Sequence, residues 1–313
     1  MPTIKIALAA TLASIGIASA VASPAQASST PTGTLSGSVR DTTGAVLASA
    51  QISVYADPAG DPVARATTDA AGQWRIAGVE TGQYKVSIGL GGWSEWAPGQ
   101  RDSSTAVEYQ VRRNRTTNVG SVVTAAGVVH GKLTRADGQA AAAVRVTASD
   151  YASANSWQTT TSSTGLYSLR VRPGAEYVIS FADGNFVQYS PGTTDQQQAR
   201  SYTVGSGQQL RVDDQLLTAP SLTGRLTDAA GAPVAGANVR FLTDTANEFS
   251  TTTDADGRYR FDKLSEWTIK VEFRTADAEP RVQWAYQKLD YNEATEFTLN
   301  TGTETIVDDT LLP

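Results

Sequence analysis

The chain has 313 residues and a formal net charge of −6, with no cysteine and a single histidine. An acidic surface argues against nucleic acid or an anionic membrane as the main partner, because both carry negative charge themselves. The absence of cysteine and the single histidine exclude disulfides, Cys/His nucleophilic chemistry and typical zinc sites, so we expect neither a metal site nor a cofactor.

Residues 1–27 have the pattern of a signal peptide. Lys5 gives a weakly positive start, the stretch 6–21 is small and apolar, and Ala25-Gln26-Ala27 fits the A-x-A cleavage pattern. The apolar stretch is too short and too interrupted for a typical membrane span. We therefore predict a secreted, extracellular protein that begins near Ser28 and has no membrane association after cleavage.

Three segments of the remaining chain repeat one another. Their opening glycines, Gly37, Gly131 and Gly224, lie 94 and 93 residues apart. Each unit continues with residues that alternate apolar and polar, and with a turn glycine followed two residues later by an aromatic side chain that the alternation places in the core. These aromatics are Trp74, Tyr167 and Tyr259. The repeat predicts domains at 34–124, 127–218 and 221–313.

Each unit contains about seven short strand patterns separated by turn signals, and long helical periodicity is absent. This combination predicts an all-β protein of three tandem seven-stranded antiparallel β-sandwich domains of the prealbumin or immunoglobulin-like type. The linkers, near Ala125 and near Ala219, are very short. We therefore expect a semi-extended rod with limited hinge freedom.

The third unit carries the clearest family motif, GRLTD at 224–228, GAPVAGA at 231–237 and TDADGRYRF at 253–261. This order resembles the carboxypeptidase-regulatory-like repeats of bacterial secreted proteins, whose fold is prealbumin-like. The second unit is the most divergent. The resemblance implies a domain that assists, spaces or displays and does not itself catalyse. Starch-binding-domain-like sandwiches share the architecture and bind polysaccharide, a likeness of fold only.

Few residues offer chemistry. Asp254 and Asp256 are spaced like the start of a calcium loop, but the later bidentate acid is missing, so a turn held by hydrogen bonds to the Asp254 side chain is the favoured interpretation. His130 lies in a predicted strand and is interpreted as structural. No motif singles out the pair of carboxylates that a glycosidase needs.

Five aromatic residues fall in loop-like sequence between predicted strands: Trp93, Trp96, Tyr189, Trp284 and Tyr286. Exposed aromatic rings could stack on sugar rings or dock a partner, which makes these the candidate ligand-binding residues. The alternative is that each ring closes the end of its own sandwich or a domain junction. Recurrence in every unit favours the structural alternative, since requirements of the fold recur more readily than a binding site does.

These observations predict a secreted, non-catalytic, modular binding or scaffold protein. One alternative is a polysaccharide-binding protein that uses the loop aromatics. The other is a glycoside hydrolase or peptidase, or an accessory to one. The expected partners are a polysaccharide, a cell-envelope glycan or an extracellular protein.

Overall fold

A computed structural model describes residues 30–313, so the predicted signal peptide lies outside the described residues. The chain is built from short strands, and the only helices among residues 30–313 are three single 3-10 turns. None of the helices in this range is long and apolar enough to cross a membrane.

Each repeat unit forms two facing sheets from nine strand segments. Unit 1 comprises β1 (Thr32–Asp41), β2 (Gln51–Tyr55), β3 (Ala64–Thr67), β4 (Gln73–Glu80), β5 (Gly82–Gly89), β6 (Ser94–Trp96), β7 (Tyr109–Val111), β8 (Thr116–Asn118) and β9 (Ser121–Val123), with a 3-10 turn at Ser103–Thr105. Unit 2 comprises β10 (Gly127–Thr134), β11 (Arg145–Asp150), β12 (Asn155–Thr160), β13 (Leu166–Val171), β14 (Glu176–Asp183), β15 (Phe186–Tyr189), β16 (Ser201–Thr203), β17 (Gln209–Arg211) and β18 (Asp214–Gln215), with a 3-10 turn at Gln196–Gln198. Unit 3 comprises β19 (Ser221–Thr227), β20 (Asn238–Thr243), β21 (Glu248–Thr252), β22 (Arg258–Phe261), β23 (Thr268–Arg274), β24 (Val282–Trp284), β25 (Glu296–Thr298), β26 (Glu304–Ile306) and β27 (Asp309–Thr310), with a 3-10 turn at Tyr291–Glu293.

The nine segments of a unit occupy seven strand positions, as the sequence predicts. In unit 1, one sheet has the order β4-β1-β8, with β9 continuing β8 along β1; the other has the order β3-β2-β5-β6, with β7 also paired to β5. Units 2 and 3 repeat both orders. The all-β sandwich architecture is thereby confirmed, while the predicted domain boundaries stay predictions.

One pairing in each unit differs from the expected antiparallel arrangement. The opening strand β1 runs parallel to β8 and β9, and β10 and β19 are paired in the same way with their closing segments. Chain direction reverses at each successive strand position, so the first and seventh strands of a unit run the same way. When the seventh strand returns beside the first, the pair is parallel.

Each unit encloses its own hydrophobic cluster between its two sheets. The core aromatics predicted from the repeat, Trp74, Tyr167 and Tyr259, are buried as expected. The hydroxyl groups of Tyr167 and Tyr259 donate hydrogen bonds to the backbone carbonyls of Val212 and Val307, at 2.5 and 2.6 Å. Burial raises the pKa of both tyrosines. These phenols therefore stay protonated and tie the core to the closing strand.

Candidate functional site

The candidate aromatics lie at one edge of the larger sheet in each unit, not in loops alone. Trp96, Tyr189 and Trp284 are the last residues of the short strands β6, β15 and β24, so the loop assignment of these three was wrong. Trp93 and Tyr286 do lie outside the strands. Strands of three or four residues are too short for alternation to distinguish them from loops.

A buried polar side chain next to each aromatic ties the edge strand to the closing strand. In unit 2, Gln188 Oε1 accepts a hydrogen bond from the Leu217 backbone N–H at 2.8 Å. In unit 3, Gln283 Oε1 accepts from the Leu312 N–H at 2.8 Å. In unit 1 the equivalent residue is Glu95, whose Oε2 accepts from the Thr124 N–H at 3.0 Å. The edge strands, and the aromatic rings they carry, are therefore fixed to the sandwich.

We predict that Gln283→Ala destabilises the third unit by about 1–3 kcal/mol, because it leaves the Leu312 N–H and the carboxylate of Asp309 without their buried partner. Calorimetric unfolding of residues 28–313 measures this loss. Gln287→Ala is the control, since the Gln287 side chain is exposed and makes one long bond to Thr310. Equal effects of the two variants would contradict the anchoring role of Gln283.

The rings in units 2 and 3 differ in how accessible they are. Trp284 is only 7% exposed and packs edge-on against Tyr291, with 5.2 Å between ring centroids. Tyr189 is partly buried, and its hydroxyl lies 3.3 Å from Gln196 Oε1. Tyr286 is 47% exposed and packs edge-on against Phe297. Trp284 therefore packs as a structural residue, as expected if the ring closes the end of its own sandwich. The ring of Tyr286, in contrast, is accessible to solvent.

Trp93 lies at the junction between units 1 and 2 and packs against the core of unit 2. Its ring meets that of Trp157 edge-on, at a centroid distance of 6.2 Å. Trp157 Nε1 donates a hydrogen bond to the Gly91 carbonyl oxygen at 2.8 Å. Sequence reasoning missed Trp157, because the equivalent residue is Ala64 in unit 1 and Phe249 in unit 3, so the tryptophan itself does not recur.

The junction between units 2 and 3 is held by a partly buried carboxylate. Asp183 accepts hydrogen bonds from Arg135 in its own unit at 2.8 Å and from Lys263 in the next unit at 2.6 Å. The neighbouring backbones are also joined, since the Asn185 N–H donates to the Lys263 carbonyl and the Ser265 hydroxyl donates to the Asn185 carbonyl. The two units therefore meet through directed polar contacts.

Protonation of Asp183 should loosen this junction. Burial alone would raise the pKa of Asp183, but the bonds from Lys263 and Arg135 outweigh burial and hold the pKa below the ordinary value of 3.8. The ion pairs therefore contribute in full above the ordinary pKa of 3.8, and their contribution is lost as the pH falls through the lower pKa of the folded protein. We expect small-angle X-ray scattering to show a larger spread of interunit distances at pH 2 than at pH 7.

Lys263→Ala should reproduce the low-pH behaviour at pH 7, because it removes the interunit partner of Asp183. Lys132→Ala is the matched control, as the exposed Lys132 side chain belongs to unit 2 alone. Scattering curves that are the same at both pH values, and the same for Lys263→Ala and the parent chain, would contradict the role of Asp183.

The groups considered for chemistry serve the fold. Asp254 Oδ1 accepts hydrogen bonds from the N–H groups of Asp256 and Arg258, as the turn interpretation predicts. Asp69 and Ser162 make the same bonds in units 1 and 2. Within residues 30–313, no group of three or more His, Asp or Glu side chains is placed to hold a metal ion. His130 lies within the opening strand β10.

Comparisons with known proteins agree with this architecture. The family model for the carboxypeptidase regulatory-like domain matches residues 34–123 and 221–312, that is, units 1 and 3 but not the divergent unit 2. No curated protein sequence matches the chain.

Three solved structures are similar at low sequence identity. The Bacillus anthracis TIE protein is 13% identical with a TM-score of 0.28, over 90% of this chain and 50% of that chain, so this chain spans half of its length. A streptococcal ancillary pilin is 12% identical with a TM-score of 0.34, over 90% of this chain and 99% of that chain. A minor pilin of Streptococcus agalactiae is 9% identical with a TM-score of 0.33, over 60% and 97%.

The matched residues make up more than half of the chain and include the opening glycines, the turn glycines and the core aromatics of units 1 and 3. The chain therefore belongs to the carboxypeptidase regulatory-like domain family.

Proposed function

We propose that this chain is a secreted, non-catalytic scaffold protein that holds its units in a fixed order and spacing to present their surfaces outside the cell. The observation that carries the proposal is the direct bonding between successive units. At the second junction Asp183 binds Lys263, and Thr194 donates a hydrogen bond to Glu266 at 2.7 Å. Such contacts restrict the relative motion of neighbouring units. A chain of loosely tethered domains has no contacts of this kind.

The first junction supports the same function. Besides the bond from Trp157 to Gly91, the Thr42 hydroxyl accepts a hydrogen bond from the Ala125 N–H and lies 3.3 Å from the Ser206 hydroxyl. Ala125, in the linker, is itself buried. A linker packed in this way acts as part of the structure rather than as a flexible tether.

Small-angle scattering on the mature chain, residues 28–313, tests the scaffold. We expect a single elongated conformation whose maximum dimension is insensitive to salt near neutral pH. In the same samples, incubation with starch and with a protein substrate should release neither sugar nor peptide. Turnover that is lost on changing a named carboxylate would overturn the non-catalytic assignment, and an ensemble of widely different dimensions would overturn the scaffold.

Polysaccharide binding by the aromatics is a second candidate, and the structure favours it for unit 1. Trp96 is partly exposed and packs against Tyr55, with 5.1 Å between ring centroids and a tilt of 56°. The equivalent Trp284 of unit 3 is buried. Binding by equivalent rings in all three units is therefore disfavoured, and unit 1 is the unit to test.

A further inference from the structure

The outer face of the β3-β2-β5-β6 sheet in unit 1 carries an open groove of about 570 Å³, which we call the unit 1 groove. Its volume lies within the range of about 300–1,000 Å³ that is common for ligand sites. Its floor follows the strand register: Gln51 pairs with Gly89, Ser53 pairs with Ser87, and β6 continues both rows. These residues point away from the core, because their neighbours Ile52, Val54 and Val86 fill it.

The groove is lined by neutral polar groups and has no charged residue in its lining. Its lining residues are Ser49, Gln51, Ser53, Tyr55, Ser87, Gly89, Gly91, Gly92, Trp93 and Ser94. Within residues 30–313, none of the serine, glutamine or tyrosine side chains in this lining makes an intramolecular hydrogen bond. A row of neutral donors and acceptors without partners suits a ligand that offers many hydroxyl groups and no net charge.

Aromatic rings stand at both ends of the groove. Tyr55, supported by Trp96, lies at one end, and Trp93 lies at the other. The side-chain Nε1 of Trp93 is buried without a hydrogen-bond partner. A sugar ring presents an apolar face of C–H groups and a polar edge of hydroxyl groups, so it can stack on an aromatic ring while its edge bonds to neutral side chains.

The glycines at the Trp93 end leave the backbone open to a ligand. Gly91 has no atom within 4 Å of the position a Cβ would take, and its φ of +75° favours glycine. The Gly91 carbonyl is held by Trp157 of unit 2. The junction therefore fixes the shape of this end of the groove.

Unit 3 fills the equivalent surface with an ion pair. The row Ser53–Ser87–Trp96 of unit 1 corresponds to Arg240–Glu272–Trp284 of unit 3. Arg240 Nε and Nη2 bind the two carboxylate oxygens of Glu272 at 2.7 and 2.6 Å. The two positions are therefore charged and joined by an ion pair in unit 3 but carry small neutral side chains in unit 1.

We propose that the unit 1 groove binds a neutral polysaccharide chain, with hydroxyl groups bonded by Gln51 and Ser53 and sugar faces stacked near Tyr55 and Trp93. This site rests on the proposed function, since it gives the scaffold its ligand and requires no chemistry from it. A neutral ligand also suits a chain of net charge −6, which would repel an anionic glycan.

Affinity gel electrophoresis of the mature chain tests the site. The probes are soluble starch, laminarin and mannan as neutral glycans, with alginate as the anionic comparison. We expect retardation by at least one neutral glycan and none by alginate. No retardation by any of the three neutral glycans, or retardation by alginate alone, would overturn the site.

Two variants locate the binding. The double substitution Ser53→Arg with Ser87→Glu places in the unit 1 groove the ion pair that Arg240 and Glu272 form at the equivalent positions of unit 3. Tyr55→Ala removes a ring on which a sugar would stack. We expect each to weaken binding at least tenfold, with unchanged far-ultraviolet circular dichroism. Tyr151→Ala, which removes an exposed ring of unit 2 outside the groove, is the control and should change binding less than twofold.

The outcomes distinguish this site from the function on which it rests. Binding that both unit 1 variants leave within twofold of the parent chain would overturn the groove as the site. Release of sugar from a probe would overturn the non-catalytic function instead, since the groove requires only retention.

Discussion

Gly37→Ala should destabilise unit 1 by about 3 kcal/mol or more. A Cβ at this position would lie far closer than 3.0 Å to the carbonyl oxygen of Val119, in the gap between β8 and β9, and would also meet the indole nitrogen of Trp74. The obstacle is backbone of the parallel closing strand, so no side-chain rotation relieves it. The opening and closing strands would have to separate, which costs the pairing that closes the sheet.

Gly120→Ala is the matched control for this prediction. Gly120 lies beside Val119, has nothing within 4 Å of its Cβ position and does not need a positive φ. We expect less than about 1 kcal/mol for it. Calorimetry of residues 28–313 follows the unfolding of unit 1 in both variants. Equal unfolding temperatures for Gly37→Ala and the parent chain would show that the close approach of the strands does not persist in solution.

The same close approach explains why the opening glycine recurs in the sequence. A Cβ at Gly131 or Gly224 would strike the carbonyl oxygen of Val212 or Val307, the groups that accept the hydrogen bonds of Tyr167 and Tyr259. The spacing of these glycines was readable from the sequence, and so were the alternating residues of the long strands. Both features are requirements of the fold of a single unit, so they recur in every unit.

The candidate site was less accessible to sequence reasoning. The recurrence of aromatic residues in every unit was readable from the sequence, and the structure places Trp96 and Trp284 at equivalent positions. Trp96 lies beside Ser87 in the sheet, whereas Trp284 lies beside Glu272. Glu272 forms its ion pair because Arg240 lies opposite it on the neighbouring strand. That register is a property of strand pairing, which alternation along one strand does not reveal.

The junctions were not predictable residue by residue for a related reason. Trp157, Asp183 and Lys263 each act once, between two particular units, so they leave no repeated pattern. Lys263 also adopts a positive φ of 55°, which its sequence context did not indicate. The short linkers predicted limited hinge freedom, but the contacts between the units come from residues outside the linkers.

Trp157→Ala should destabilise unit 2 by about 3–5 kcal/mol and release the first junction. Trp157 is 6% exposed and packs edge-on against both Trp93 and Tyr177, so truncation opens a large cavity. It also leaves the Gly91 carbonyl without its donor. We expect a lower unfolding temperature for unit 2 together with a broader distribution of interunit distances in small-angle scattering.

Two further variants separate packing from the junction bond. Trp157→Phe keeps most of the buried ring but loses the indole N–H, so it should cost about 1–3 kcal/mol and act mainly on the junction. Gly92→Ala disturbs the same contact from unit 1, because its Cβ would lie inside contact distance of Trp157 Nε1. If Trp157→Ala broadens the distance distribution and Gly92→Ala broadens it too, the junction is held by this contact; if neither does, the two units are held together elsewhere and Trp157 stabilises unit 2 alone.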